Sequence, residues 1–313
     1  MAHFLVTGGA GFIGSNLVEA LVANGDRVRV LDDFSTGKRA NLAAWADKIE
    51  LIEGSIARFA DVQRAVAGVD YVLHQAALPS VPKSIELPRE SNETNISGTL
   101  NVLVAARDAK VKRVVYAASS SAYGDTPTLP KVETMPSIPK SPYAIQKYTG
   151  ELYCRSFFEI YGLETVALRY FNIFGPRQDP TSFYSAVIPK FITTMMKGES
   201  PVIYGDGETS RDFTFITNVV QANLRACTAP KKAAGQVMNV ACGERITLND
   251  LARVIKDVLG KGGAPSYEPE RAGDVKHSMA DIGLAQELIG YEPTVKFAEG
   301  IRQTCAWYQA HGR

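Results

Sequence analysis

The run His3-Phe4-Leu5-Val6-Thr7 passes directly into Gly8-Gly9-Ala10-Gly11-Phe12-Ile13-Gly14, and the residues beyond place Ile13, Leu17, Val18 and Leu21 on one helical face. A short apolar strand, a glycine turn and an amphipathic helix in immediate succession leave few folds open. Glycines at 8, 11 and 14 allow a tight turn, close approach of backbone to a ligand, and close packing of helix on strand. The start of such a helix presents unpaired N–H groups and the positive end of its dipole, a place for a pyrophosphate. The chain is therefore expected to form an α/β fold, a Rossmann-type doubly wound parallel sheet.

Runs rich in Val, Ile, Leu and Tyr alternate with longer amphipathic segments through the first half. Phe4 to Thr7, Arg27 to Leu31, Ile49 to Glu53, Tyr71 to His74, Val114 to Ala118 and Thr165 to Arg169 contain no proline, as central strands require. Helices are predicted between them, among them Asn95 to Ala109, which carries Leu100, Leu103 and Val104, and Tyr143 to Tyr161. After Arg169 come Gly/Pro-punctuated loops such as Phe174-Gly175-Pro176-Arg177-Gln178-Asp179-Pro180 and Tyr204-Gly205-Asp206-Gly207. The expected division is a dinucleotide-binding domain over 1–172 and a smaller C-terminal α/β lobe mainly over 173–313. A return segment is expected near 214–241, where Gln236 to Val240 reads as a strand.

The 34 basic and 33 acidic side chains nearly cancel, so nothing in the charge calls for nucleic acid. Apolar runs are too short to span a membrane, and the N-terminus has neither a basic region nor a cleavable hydrophobic stretch, so a cytoplasmic protein is expected. Cys154, Cys227, Cys242 and Cys305 are scattered, as are His3, His74, His277 and His311. Reduced packing thiols and no metal are the expectation.

Asp32 ends the second strand eighteen residues after Gly14, where a carboxylate binds ribose hydroxyls and repels a 2′-phosphate. NAD is thus expected rather than NADP, although Lys38 and Arg39 lie close by. Ala117-Ala118-Ser119-Ser120-Ser121 closes the fifth strand at the carboxyl edge, where ligands of open α/β sheets bind. Tyr143 and Lys147 stand one helical turn apart. A free phenol titrates near pH ~10, and a cation within roughly 6 Å favours the phenolate. Lys147 is spaced to be that cation, so these residues describe a redox site with a proton-labile phenol.

Together the glycine fingerprint, the strand-end serines before Tyr123-Gly124, and Tyr143 with Lys147 resemble an extended short-chain dehydrogenase/reductase, nearly end to end. His74-Gln75-Ala76-Ala77, Ser119 to Asp125, Arg169-Tyr170-Phe171-Asn172, Arg177-Gln178-Asp179-Pro180 and Gly205 to Phe213 are similar to bacterial UDP-sugar 4-epimerases, especially those acting on UDP-N-acetylglucosamine. The resemblance implies that Tyr143 removes the proton of the sugar 4-hydroxyl while hydride passes from C4 to the nicotinamide. Ser119 and Ser121 would hydrogen-bond the same oxygen. Lys147 would lower the phenol's pKa and bind the nicotinamide ribose. The ketone then rotates and takes hydride back on its opposite face, so NAD is regenerated each cycle.

The resemblance also implies a cofactor set: Asp32 on the adenosine ribose, Ile56 beside adenine, Ala76 and Ala77 along the pyrophosphate and nicotinamide, and Asn95 near the dinucleotide. Phe12, Ile13, Ser35, Gly37, Ala117 and Tyr170 complete it. Ser55 stands where the family usually has an aspartate on the adenine amino group. For the nucleotide sugar, Asn172, Arg211 and Arg271 match diphosphate positions, and arginines suit a doubly anionic group. Ser80, Ser84, Ser120, Val187, Tyr204 and Asp274 complete that set, with Pro79 where close relatives often carry glycine. Ser278 stands where epimerases restricted to UDP-glucose and UDP-galactose place a tyrosine. A serine leaves room for a C2 acetamido group without excluding the smaller sugar. A homodimer built from helices like Asn95 to Ala109 and Tyr143 to Tyr161 is implied as well.

Related enzymes share fold, cofactor and Tyr/Lys pair, so their extra groups must discriminate. Dehydratases resemble Thr-Asp-Glu before the Tyr-Gly pair, and decarboxylases place a glutamate two residues before that tyrosine. This chain has Ser119-Ser120-Ser121-Ala122. A UDP-glucuronate 4-epimerase has much the same serine cluster and stays open. So does a non-catalytic dinucleotide sensor, against which the retained proton-transfer residues argue.

Overall fold

The structure is a computed structural model that describes residues 1–180, 187–270 and 276–311. The strands β1 (His3–Thr7), β2 (Arg27–Asp32), β3 (Ile49–Glu53), β4 (Tyr71–His74), β5 (Arg113–Ser119) and β6 (Glu164–Tyr170) follow the apolar runs of the sequence. Together with the strand Gln236–Val240 they form one parallel sheet in the order β3-β2-β1-β4-β5-β6-(Gln236–Val240). The chain leaves β1 toward β2 on one side and meets β4 on the other. A topological switch point therefore lies at the carboxyl ends of Thr7 and His74, which pair in register.

Both faces of the sheet are covered, which is why its strands read as nearly continuous apolar runs. Phe4 and Val6 enter one core with Leu17 and Leu21 of helix α1 (Phe12–Ala23) and Val219 of the helix Ile216–Thr228. Leu5 enters the other with Val62, Leu103 and Phe157, from the helices Phe59–Val66, Gly98–Asp108 and Pro142–Tyr161. The last of these has clear local signals. Ser141 caps it, accepting from the Ala144 N–H at 3.1 Å, Pro142 occupies its first position, and Gly162 ends it at φ +70°.

The expected helix Asn95 to Ala109 differs at its start. Glu93–Ser97 forms a π-helical turn that runs into Gly98–Asp108. The widened turn accompanies the bonds of the Asn95 carboxamide, which accepts from the Leu78 N–H at 2.8 Å and donates to Gln146 Oε1 at 2.8 Å.

Beyond β6, helices Val187–Met196, Leu248–Leu259 and Phe297–His311 pack on one another. Short strand pairs, Val202–Tyr204 with Ser266–Glu268 and Ser210–Arg211 with Ile246–Thr247, edge them. Phe174 meets Phe215 at 5.6 Å and Phe213 meets Phe297 at 5.7 Å, joining this region to the sheet. The four cysteines are buried and unpaired, and among the described residues no helix is long and apolar enough to cross a membrane.

Candidate active site

At Gly8 the backbone has φ +69°, and a Cβ would lie 2.7 Å from the Ala76 nitrogen; at Gly14 it would lie 2.1 Å from the Gly8 carbonyl oxygen. Only glycine fits either place. Gly11 caps α1 without a side chain, so the first-turn N–H groups around Phe12 and Ile13 face outward for an anion. The cradle thus suits a pyrophosphate.

Asp32 is buried beside it. Its Oδ2 accepts the Ala10 N–H and its Oδ1 the Phe34 N–H, both at 2.8 Å, and burial pushes its carboxyl above the ordinary value against those bonds. A carboxylate still has two lone pairs left for a ribose diol. Gly37 keeps the wall thin, since a Cβ there would lie 2.8 Å from Asp32 Oδ1. The two nearby cations are engaged elsewhere: Lys38 pairs with Asp179 at 2.9 Å, while Arg39 pairs with Glu53 and lies 4.0 Å over Phe34. Exposed Ser35 donates to Asp33 at 2.6 Å. Ser55 gives its N–H to Asp61 at 3.0 Å, and buried Ile56 packs where Gly98 leaves room.

Under the cradle runs a directed hydrogen-bond chain. Thr99 donates to the Asn95 carbonyl at 2.7 Å, so it must accept from His74 Nε2–H at 3.0 Å; Nδ1 then accepts from Thr7 at 2.7 Å, and Thr7 accepts the Ala76 N–H at 3.2 Å. His74 is neutral, its pKa pulled to about 3 by burial and by the Lys147 charge. Ala76 and Ala77 are held at the switch point by this chain. The Tyr170 hydroxyl donates to Gln75 and accepts from Asn223, at 3.3 and 2.8 Å.

One strand over, at the end of β5 beyond Ala117, the Ser121 hydroxyl donates to Ser119 Oγ at 2.8 Å, and Ser119 hydrogen-bonds the Tyr143 phenol. Ser120 opens the 3-10 turn between them and Tyr123. Two expectations change here. Burial pushes the Tyr143 phenol above its ordinary value, where a lowered one was expected, and the Ser119 hydrogen bond is what opposes it. Ser84, expected at the substrate, is fully buried, donating to the Val81 carbonyl at 2.6 Å and accepting the Tyr143 N–H at 3.0 Å. It anchors the start of the helix Pro142–Tyr161.

Lys147 is only 4% exposed, and its Nζ lies 4.6 Å from the centre of the Tyr116 ring. That ring fits because residue 150 is glycine: a Cβ there would lie 2.2 Å from the Tyr116 oxygen. Burial pulls the Lys147 amine down to about 8, opposed first by Glu151. Neither Tyr116 nor Glu151 belongs to a motif; Glu151 stands one turn beyond Lys147 on the same helix, and only the fold brings Tyr116 to the lysine.

A cleft of about 520 Å³ opens beyond β6, lined by the expected Asn172, Val187, Tyr204 and Arg211, by Phe213 at the end of the stretch from Gly205, and by Lys190, Phe191 and Glu270, which carry no motif. Asn172, two residues past the β6 partner of Ser119, has φ +36° and donates to the Asp212 carbonyl at 3.0 Å and to Ser278 Oγ at 3.3 Å. Ser278 thereby borders the cleft through Asn172. Ser80 caps the helix Val81–Glu86, accepting the Lys83 N–H at 3.2 Å. Arg271 and Asp274 lie outside the described residues.

A parallel sheet with its switch point between β1 and β4, and a Ser–Tyr–Lys set one strand away, defines an extended short-chain dehydrogenase/reductase. Comparison with known proteins narrows the class: residues 4–241 match the NAD dependent epimerase/dehydratase family, and this chain belongs to it, with NAD as its cofactor. The UDP-glucose 4-epimerase of Mycolicibacterium smegmatis is 37% identical over 310 residues, covering 97% of this chain and 98% of that protein. The solved UDP-N-acetylglucosamine 4-epimerase of Methanobrevibacter ruminantium, in complex with UDP-N-acetylmuramic acid, is 43% identical with a TM-score of 0.94, covering 99% of each chain. The UDP-glucose 4-epimerase of Thermotoga maritima with UDP-glucose is 37% identical with a TM-score of 0.94, covering 99% of this chain and 100% of that one.

Proposed function

We propose that this chain interconverts the 4-epimers of a UDP-hexose: UDP-N-acetylglucosamine with UDP-N-acetylgalactosamine, and also UDP-glucose with UDP-galactose. The observation that carries this reading is the hydroxyl relay Ser121–Ser119–Tyr143 at a strand end where residues 119–122 supply no carboxylate. Dehydration and decarboxylation need an acid or base there; reversible removal of a hydroxyl proton does not.

The cradle fits a dinucleotide on the Gly8, Gly11 and Gly14 backbone with Asp32 at the ribose. When bound, NAD supplies a hydride acceptor and donor at C4 and a positively charged ring. Tyr143 takes the proton of the 4-hydroxyl and later returns it. Ser119, aligned by Ser121, holds the same oxygen in both states. Because burial raises the phenol, positive charge must be brought to Tyr143 to make it a base, and Lys147 contributes its ammonium. Asn172 and Arg211 hold the diphosphate, leaving the keto sugar free to turn between proton removal and return. Ser278, small and beside Asn172, leaves space for an acetamido group.

An NMR time course with UDP-N-acetylglucosamine, UDP-glucose and UDP-glucuronate in separate arms tests the reading. Conversion of the first two to their 4-epimers is expected. Release of carbon dioxide from UDP-glucuronate, or no change in any sugar, would sink it. We also infer a homodimer. Ile145 and Leu152 stand seven residues apart on the helix Pro142–Tyr161 and are 50% and 51% exposed, an apolar face for a second copy. Sedimentation of the native chain should give twice the monomer mass, and Leu152→Glu should lower it.

A further inference from the structure

A lysine as dry as Lys147 tends to lose its charge unless something holds the proton on it. Among the described residues, the ionisable groups around it are His74 from β4, Tyr116 from β5, and Tyr143, Glu151 and Cys154 from its own helix. His74 is neutral, and burial pushes the Tyr116 and Tyr143 phenols and the Cys154 thiol up, so all three keep their protons until the reaction draws on Tyr143. Glu151, one turn beyond Lys147, is the one group of this set that can carry a negative charge.

Glu151 is itself only 2% exposed and could not stay ionised alone. Arg169 on β6 answers it in a two-pronged pair, Nε to Oε1 at 2.9 Å and Nη2 to Oε2 at 2.7 Å. The guanidinium also lies 4.5 Å over the Tyr123 ring, and its Nη1 has no hydrogen-bond partner among the described residues. A buried pair with an unsatisfied donor is weak support for stability, since both ions leave water to form it. Its place, one turn from the reacting lysine, points to another use.

We propose that Glu151, locked by Arg169, is a positioning residue that keeps Lys147 in its ammonium form beneath the reacting phenol. The inference rests on the reading of Lys147 as the cation that serves Tyr143. The sign follows from the charges. Lys147 is cationic below its pKa of about 8 and neutral above it, and Glu151 is the largest influence holding that value up. Removing Glu151 moves the loss of charge to lower pH.

The test uses Glu151→Gln and the double variant Glu151→Gln with Arg169→Gln. The double variant replaces a buried ion pair by neutral groups, a change that folds often tolerate. Two readouts separate the claims: the Lys147 side-chain titration in purified protein carrying 13C-labelled lysine, assigned with Lys147→Arg, and the pH profile of kcat/KM. A Lys147 midpoint lower by about one pH unit or more in the folded double variant, where no unpaired guanidinium is left behind, supports the proposal. An unmoved midpoint in the folded double variant overturns it, as does a uniform loss of activity with the alkaline limb in place and the midpoint unchanged. A midpoint that falls while the alkaline limb stays put supports the charge assignment and counts against the catalytic role of Lys147 instead.

Discussion

On the proposed function, the edge of the sheet at Thr7, His74 and Ser119 and the cleft around Asn172 and Arg211 hold their ligands by different means. At the edge the contacts come from backbone and from buried side chains with fixed partners: glycines where no Cβ fits, the Thr7–His74–Thr99 chain, and Lys147 on Tyr116. In the cleft they come from side chains alone, on the helix Val187–Met196 and on short strands and loops, with Arg211 at the end of a two-residue strand. A cofactor used in every turnover gains from rigid, water-excluding contacts. A substrate that must enter, turn and leave gains from an open cleft anchored through its charged end. The difference separates a resident group from a passing one.

Variants can break that comparison. Tyr143→Phe sits at the junction and should have the largest effect: epimerisation falls by about 10²–10⁴-fold while bound NAD, read by absorbance after heat release, is unaltered. Unchanged turnover would remove the phenol from the mechanism. On the resident side, Gly14→Ala forces a Cβ against the Gly8 carbonyl at a strain of about 1–3 kcal/mol. NAD affinity should drop roughly tenfold or more, with UDP binding in the cleft preserved; calorimetry with each ligand reads both. On the passing side, Arg211→Ala should raise KM for UDP-sugars by about 10–100-fold with NAD content intact, from the loss of charge-assisted hydrogen bonds worth ~1.5–3 kcal/mol. If Arg211→Ala instead releases NAD, the two regions are not separable. The smallest effect is expected for Ser278→Tyr, which should lower kcat/KM for N-acetylated sugars by about tenfold and spare UDP-glucose. Equal loss on both would deny it a role in size selection.

The resident side was largely legible in the chain. Strands buried on both faces leave proline-free apolar runs, and glycines at 8, 11 and 14 mark close approaches that only glycine can make. The one-residue widening at Glu93–Ser97 was not legible, because helical periodicity barely registers it. Ser84 was assigned to the substrate from likeness of position, yet its hydroxyl bonds to Val81 and Tyr143 at the head of the catalytic helix. The cleft residues Lys190 and Glu270 bear no motif, since they converge from separate segments that only folding brings together.

The sequence by itself determined the cradle, the strand-end hydroxyls and the one-turn spacing of Tyr143 and Lys147, because each is a local relation along one strand, turn or helix. The tertiary structure decided the protonation of that pair. Burial raises the phenol and lowers the amine; Ser119 opposes the first from the end of β5, and Glu151, one turn along the same helix and itself paired with Arg169 on β6, opposes the second. Charge in a protein depends on what lies within a few ångströms in every direction, and for Lys147 those neighbours include His74 and Tyr116, which only folding brings to it.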